Sequence, residues 1–142
     1  MTAATLGYGT LLKMGDGASP EVFTTIGEVG DFEDSDDTEL VEATNHDSLG
    51  SRREYIAGLI DGAEIQFPVN YIPDHATHDR STGLRSKLRT TVNFRLEEPG
   101  NDEGIEFAAV VMGITRAFPV ADKMTMTVTL KKTGSPSYYA VV

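Results

Sequence analysis

The sequence predicts a mainly β (α+β) domain, a β-sandwich or small barrel with one flanking α-helix and a long extended loop. Three observations lead there. Three segments alternate apolar and polar residues with period two, as strands with one buried face do. A single segment has helical character. A polar stretch, residues 35 to 62, interrupts the pattern without offering a core face. At 142 residues the chain is one domain by length, and such a chain removes roughly 68–70% of its unfolded surface from water.

Residues 1 to 20 read as an N-terminal arm. Their opening "MTAATLGYGTLLKMGDG" has no basic leader ahead of an apolar block, which argues against Sec-type export. No run reaches the ~18 apolar residues a membrane helix needs, which argues against membrane insertion. "EVFTTIGEVGDFE" reads as one or two early strands, broken by Gly27 and Gly30. In residues 35 to 62 the apolar residues are scattered, and the length far exceeds the ~2–5 residues of a hairpin loop. It therefore reads as a functional extension, mobile in the isolated subunit.

The alternating strands follow. In "AEIQFPVNY" Ala63, Ile65, Phe67, Val69 and Tyr71 face one way and Glu64, Gln66 and Asn70 the other. "TVNFRLE" sets Val92, Phe94 and Leu96 against Asn93, Arg95 and Glu97. "MTMTVTLK" sets Met124, Met126, Val128 and Leu130 against three threonines and Lys131. "IEFAAVVMGI", residues 105 to 114, is apolar on both faces, as a central strand covered on both sides would be. "EPGNDEG" supplies turn chemistry before it. The helix is expected over residues 77 to 89: Thr77 or Asp79 caps it, Leu84 and Leu88 form its stripe, and Arg85, Lys87 and Arg89 suit its C-terminal end. Gly83 weakens it by up to about 1 kcal/mol relative to Ala. Residues 134 to 142 read as a C-terminal tail.

No catalytic, cofactor or metal site is expected. Asp31, Glu33, Ser35 and Glu42 fall at positions 1, 3, 5 and 12 of a calcium loop, but Asp36 stands where that loop needs Gly. His75 and His78, with Asp74 and Asp79, lack a further imidazole other than His46, and read as a polar turn that caps the helix. There is no cysteine, no Gly-x-Ser-x-Gly elbow, no phosphate-binding loop and no pair of carboxylates at a defined separation.

Charge carries more. Acidic residues outnumber basic ones by 22 to 12, which disfavours a surface that grips nucleic acid phosphates. Nine acids and no Lys or Arg lie between Glu28 and Asp47. Between Arg80 and Arg89 lie four basic residues and no acid. Two solvated faces would read this way, and so would complementary surfaces between subunits that set register.

The order of residues resembles the major tail tube proteins of long, non-contractile-tailed bacteriophages over residues 22 to 134. The resemblance lies in Thr44, Asn45, His46, Asp47 and Ser48 with Arg53, Glu54 and Tyr55, and in Gly58, Leu59, Asp61 and Gly62. It continues in Asn70 and Tyr71 before Pro73 and Asp74, then in Pro119, Val120, Asp122 and Lys123 before an alternating strand. It implies a β-sandwich with one helix, six copies per ring, and rings stacked into a hollow tube through which the genome leaves the virion. The tubes of contractile tails and type VI secretion are similar, and an inner tube of such an apparatus is the alternative. The chain is expected to act structurally, in the virion tail after assembly in the host cytoplasm, as one tail tube domain over residues 1 to 142. Residues 35 to 62 would contact a neighbouring ring, and no additional C-terminal domain is expected.

On this reading Asp36, Asp37, Glu39, Glu42, Arg52, Arg53 and Tyr55 of the long loop, and Arg85, Lys87 and Arg89 of the basic segment, make contacts between subunits and rings. Glu64, Gln66 and Asn70 face the lumen. The partners implied are further copies of the chain, a tape measure protein, a tail terminator and tail tip proteins. DNA passes through the lumen without specific binding, and no membrane is involved.

Overall fold

The computed structural model describes residues 3–47 and 49–141; Ser48 of the resemblance motif lies outside them. Eight strands follow in order: β1 (Leu11–Gly15), β2 (Phe23–Thr25), β3 (Asp36–Glu42), β4 (Tyr55–Gly62), β5 (Glu64–Asn70), β6 (Thr91–Glu97), β7 (Glu103–Ala117) and β8 (Thr125–Ala140). Six make one antiparallel sheet, ordered β2-β1-β6-β7-β8-β5, while among the described residues β3 and β4 pair only with each other.

The large sheet curls until its edges nearly meet. Val29, just past β2, bridges Val69 of β5; Gly30 N–H donates to the Pro68 carbonyl at 2.7 Å, and Asn70 N–H to the Glu28 carbonyl at 3.0 Å. Of the two expected architectures the structure takes the barrel, as one curled sheet left partly open between β2 and β5. Its interior takes the apolar parity of each alternating strand: Leu12 and Met14, Ile65, Phe67 and Val69, Val92, Phe94 and Leu96, Phe107, Ala109 and Val111, Met126, Val128 and Leu130. Phe94 and Phe107 stack with centroids 5.9 Å apart, directly cross-strand.

The expected helix over residues 77 to 89 is a single 3₁₀ turn, Leu84–Lys87, and no α-helix occurs among the described residues. The reason is local competition. The Asp79 carboxylate accepts the Thr82 N–H at 2.8 Å, as a helix cap would, but also the Gly83 N–H at 2.8 Å, a donor that a helix capped there would give to the Asp79 carbonyl. Gly83 is extended, and its backbone runs so close to the preceding turn that a Cβ there would lie 2.4 Å from Asp79 N and 2.6 Å from His78 N. Leu84 plugs the barrel and is fully buried, whereas Leu88, its expected stripe partner, is half exposed.

Other expectations shift in detail. The N-terminal arm includes β1, paired to β6, and the C-terminal tail is largely the end of β8, with Tyr138 and Tyr139 opposite Ile105 and Gly104. The early strands reduce to β2 and the Val29 bridge. β7 is central, but only its inner parity is buried; Met112 on the other face is half exposed. The long loop is not irregular. It is a β3–β4 hairpin, every described residue of which is exposed up to Asp61.

Candidate assembly surfaces

The hairpin is tied to the barrel at its base. Lys132 continues the inward parity of Met126, Val128 and Leu130, but where it stands the barrel has ended. Its stem stays covered, with 10% of the side chain exposed, and its ammonium leaves the mouth to meet Asp34, Asp36 Oδ1 at 2.9 Å and the Ser35 carbonyl at 2.9 Å. Burial works against the charged form, but the hydrogen bonds to Asp34 and Asp36 outweigh it and hold the Lys132 pKa above the ordinary lysine value. On the opposite parity Lys131 pairs with Asp61 at 3.0 Å. Gly62 is required here, since a Cβ would lie 2.9 Å from that of Lys132.

Beyond this clasp the ribbon is apolar on both faces. Cross-strand partners share a face, so Leu40 opposite Ala57, with Tyr55 and Ile60, form one. A bulge after Thr38 sets Leu59 on the other, with Val41 opposite Ile56; there a Cβ on Gly58 would lie 3.4 Å from Val41 Cγ2. Leu59 is 80% exposed and Ile60 72%. Contiguous apolar exposure of this kind marks an interaction surface. The acids are divided in the same way: Asp36 lies in the clasp and Glu42 beside Arg53 at 3.9 Å, while Asp37 and Glu39 have no cation within ion-pair distance among the described residues.

The basic segment lies elsewhere. Arg85 Nη1 donates to the Tyr71 hydroxyl at 3.0 Å, and Arg116 sits over Tyr71 and Phe118, 5.9 and 5.5 Å from the ring centroids. Lys87 helps to lower the Asp16 pKa, although the Ala18 and Val22 N–H groups bound by that carboxylate contribute more. Arg89 takes a positive φ of 67° at the exit of the 3₁₀ turn, and Arg52 stands exposed near the hairpin tip. The acidic and basic segments do not meet within one chain. β5 runs from Glu64, opposite Lys131 at the clasp, to Asn70, opposite Thr125, so the two surfaces occupy opposite ends of a strand about 20 Å long.

Glu64 and Gln66 project from β5 away from the core, as their parity requires. With Asp31, Phe32, Glu33 and Ser35 they line an open hollow of about 570 Å³ whose rim is acidic. Asn70 is half-buried near the Val29 bridge.

His75 and His78 are structural. His78 Nε2–H donates to the Gly27 carbonyl at 2.7 Å while its Nδ1 accepts Ile72 N–H at 3.2 Å, and His75 Nδ1 accepts from the N–H and hydroxyl of Thr77. Thr77 Oγ1 in turn accepts Gly27 N–H. The segment before the 3₁₀ turn is thereby stapled to the turn after β2, and no cluster of three metal-ligating side chains occurs among the described residues.

Sequence reasoning missed three groups: the hairpin's apolar residues other than Tyr55, the Lys132 clasp, and Arg116 with Phe118. The first had a signal, since "ELV" and "YIAGLI" are apolar enough to pair as strands; the other two depend on which ends of β5 and β8 come together.

The family model of the lambda phage tail tube protein, TTP, matches residues 8–139. No curated protein matches the chain. Among solved structures the fold is similar to that in the tail of an empty gene transfer agent particle with C6 symmetry, with a TM-score of 0.78 at 20% identity over 96% of this chain and 100% of that one. The virion of a native gene transfer agent particle gives 0.76 at 19% identity, covering 96% and 100%. The 6-fold symmetrised baseplate of an anti-feeding prophage gives 0.69 at 10% identity, covering 98% and 97%. At these identities the likeness is one of fold.

Proposed function

The chain belongs to the lambda phage tail tube protein family, and from that premise we propose that it builds a virion tail tube of stacked six-membered rings through which the genome leaves the particle. The observation that carries the reading is the family match over residues 8–139. The C6 symmetry of the gene transfer agent tail, a similar fold, supports six copies per ring. The work is physical: rings join edge to edge, and a head-to-tail contact that never closes lets stacking continue.

In this assembly the β3–β4 hairpin reaches an adjacent ring. Asp37, Glu39, Arg52, Arg53 and Tyr55 make contacts from the hairpin, with Asp36 and Glu42 setting its form, and Arg85, Lys87 and Arg89 present the basic surface. Glu64, Gln66 and Asn70 face the lumen, where an acidic wall gives DNA no site at which to dwell. A tape measure, a terminator and tip proteins bound the tube at its ends. An inner tube of a contractile apparatus is the second reading, favoured by the likeness of fold to the sheath-tube complex of an extracellular contractile injection system; the family match favours the first.

Negative-stain images of the purified protein, with sedimentation across a salt series, test this. Stacked six-fold rings without a sheath are expected, and Arg85→Glu with Lys87→Glu should lower polymer yield, as added salt does. A protein that stays monomeric at every concentration refutes the tube. Polymer yield unchanged in the reversed variant and by salt refutes the charged contact.

A further inference from the structure

We infer which surface receives the hairpin: the face bearing Val41, Ile56 and Leu59 packs on Ile72, Phe118 and Val120 of a second copy, with Asp37 and Glu39 reaching its Arg85 and Arg116. The inference rests on the self-assembly proposed above and adds to it a specific pair of complementary faces.

Four observations carry it. First, a two-stranded ribbon with unpaired outer edges is marginal in water, and one with exposed apolar residues on both faces needs cover. Second, charge tells the faces apart. The face bearing Leu40, Tyr55 and Ile60 also carries Asp36 and Glu42, both already beside cations of their own chain, whereas the Leu59 face carries, beyond Asp61 with its Lys131 partner at the base, the unpaired Asp37 and Glu39. Third, the receiving surface has the opposite character. Ile72, Phe118 and Val120 are exposed, and the flanking Arg85 and Arg116 have no carboxylate within ion-pair distance among the described residues. Arg116 is held over the Tyr71 and Phe118 rings and Arg85 by the Tyr71 hydroxyl, so both cations are partly ordered before anything binds. Fourth, the two surfaces lie at opposite ends of β5. A contact between them therefore joins different copies head to tail, a heterologous contact that builds a ring or continues along an axis according to the rotation it imposes.

The chain has no cysteine, so single cysteines report on this contact without background. Leu59→Cys, Ile60→Cys and Phe118→Cys all fall on exposed side chains and should leave the barrel folded. Either hairpin variant is mixed with Phe118→Cys, assembled, and treated with oxidant or a short thiol cross-linker. In the sedimenting fraction Leu59→Cys should form the mixed dimer with Phe118→Cys several-fold more than Ile60→Cys does. The pairing is overturned if sedimenting polymer gives no mixed dimer, gives it equally or better with Ile60→Cys, or gives hairpin-to-hairpin dimers alone. Failure of the unmodified protein to form any sedimenting polymer is a different result, which overturns the tube reading and this contact with it.

Discussion

Replacing Lys132 by Met removes the ammonium while keeping a stem of similar length at the barrel mouth. The wild-type group satisfies Asp34, Asp36 and the Ser35 carbonyl from a side chain only 10% exposed. A hydrogen bond to a charged group is worth about 1.5–3 kcal/mol when sheltered. Asp34 is 33% and Asp36 63% exposed, so solvent screening brings the clasp down to about 1–2 kcal/mol. That is a factor of roughly 5–30 in the equilibrium between seated and detached hairpin. Because the hairpin places no side chain in the core, the loss should stay local. Amide exchange is the assay: protection in β3 and β4 should fall by roughly that factor while β6 and the barrel part of β8 keep theirs. The sign with pH follows from the raised lysine pKa. The clasp is fully present below the unfolded value of about 10.5 and is lost as pH rises through the higher folded value. Unchanged hairpin exchange in Lys132→Met, or an equal loss across the barrel, would refute the clasp as the hairpin's anchor.

Gly83→Ala separates two accounts of residues 77 to 89. An α-helix would gain about 1 kcal/mol from the change, whereas the observed turn, with backbone 2.4 Å from the new Cβ, should lose about 2 kcal/mol or more in a denaturant titration. Glu97 accepts from Lys13 at 2.7 Å and from the Tyr139 hydroxyl at 2.8 Å, and the Lys13 contact leads in lowering its pKa. Its contribution is present above about pH 4.5 and lost as pH falls through the lower folded value; Glu97→Gln should cost about 1 kcal/mol at neutral pH and flatten the acid limb of a stability profile. Glu64→Lys reverses one charge on the acidic face of β5 and should leave rings intact while slowing DNA release from assembled particles. Normal ejection from such particles would place that face outside the lumen.

Much of the barrel was legible because its strands follow one rule. Where a sheet has one wet face and one core face, parity alone assigns Ile65, Phe67 and Val69, or Met126, Val128 and Leu130, and the structure buries each of them. The hairpin was harder. It has no core face, so its apolar residues occupy both parities, and the bulge between Thr38 and Leu40 breaks the alternation that would have marked it. The helix failed for another reason: Leu84 and Leu88 have helical spacing, but the Asp79 side chain takes the Gly83 donor, Gly83 is extended, and Leu84 answers to the barrel, not to a stripe.

By itself the sequence determined the class of the fold, the core-facing parity of its longest alternating strands, the separation of acidic from basic segments, and the family. These depend on local periodicity and on residue order, which a chain carries before it folds. Only the tertiary structure decided that the sheet closes through Val29 and Val69, that Lys132 emerges at the barrel mouth between Asp34 and Asp36, and that the hairpin and the Arg85–Arg116 surface stand at opposite ends of β5. Those facts join residues as much as 98 positions apart. They follow from strand order and curl, which arise when many weak apolar contacts are satisfied together and which no single segment encodes.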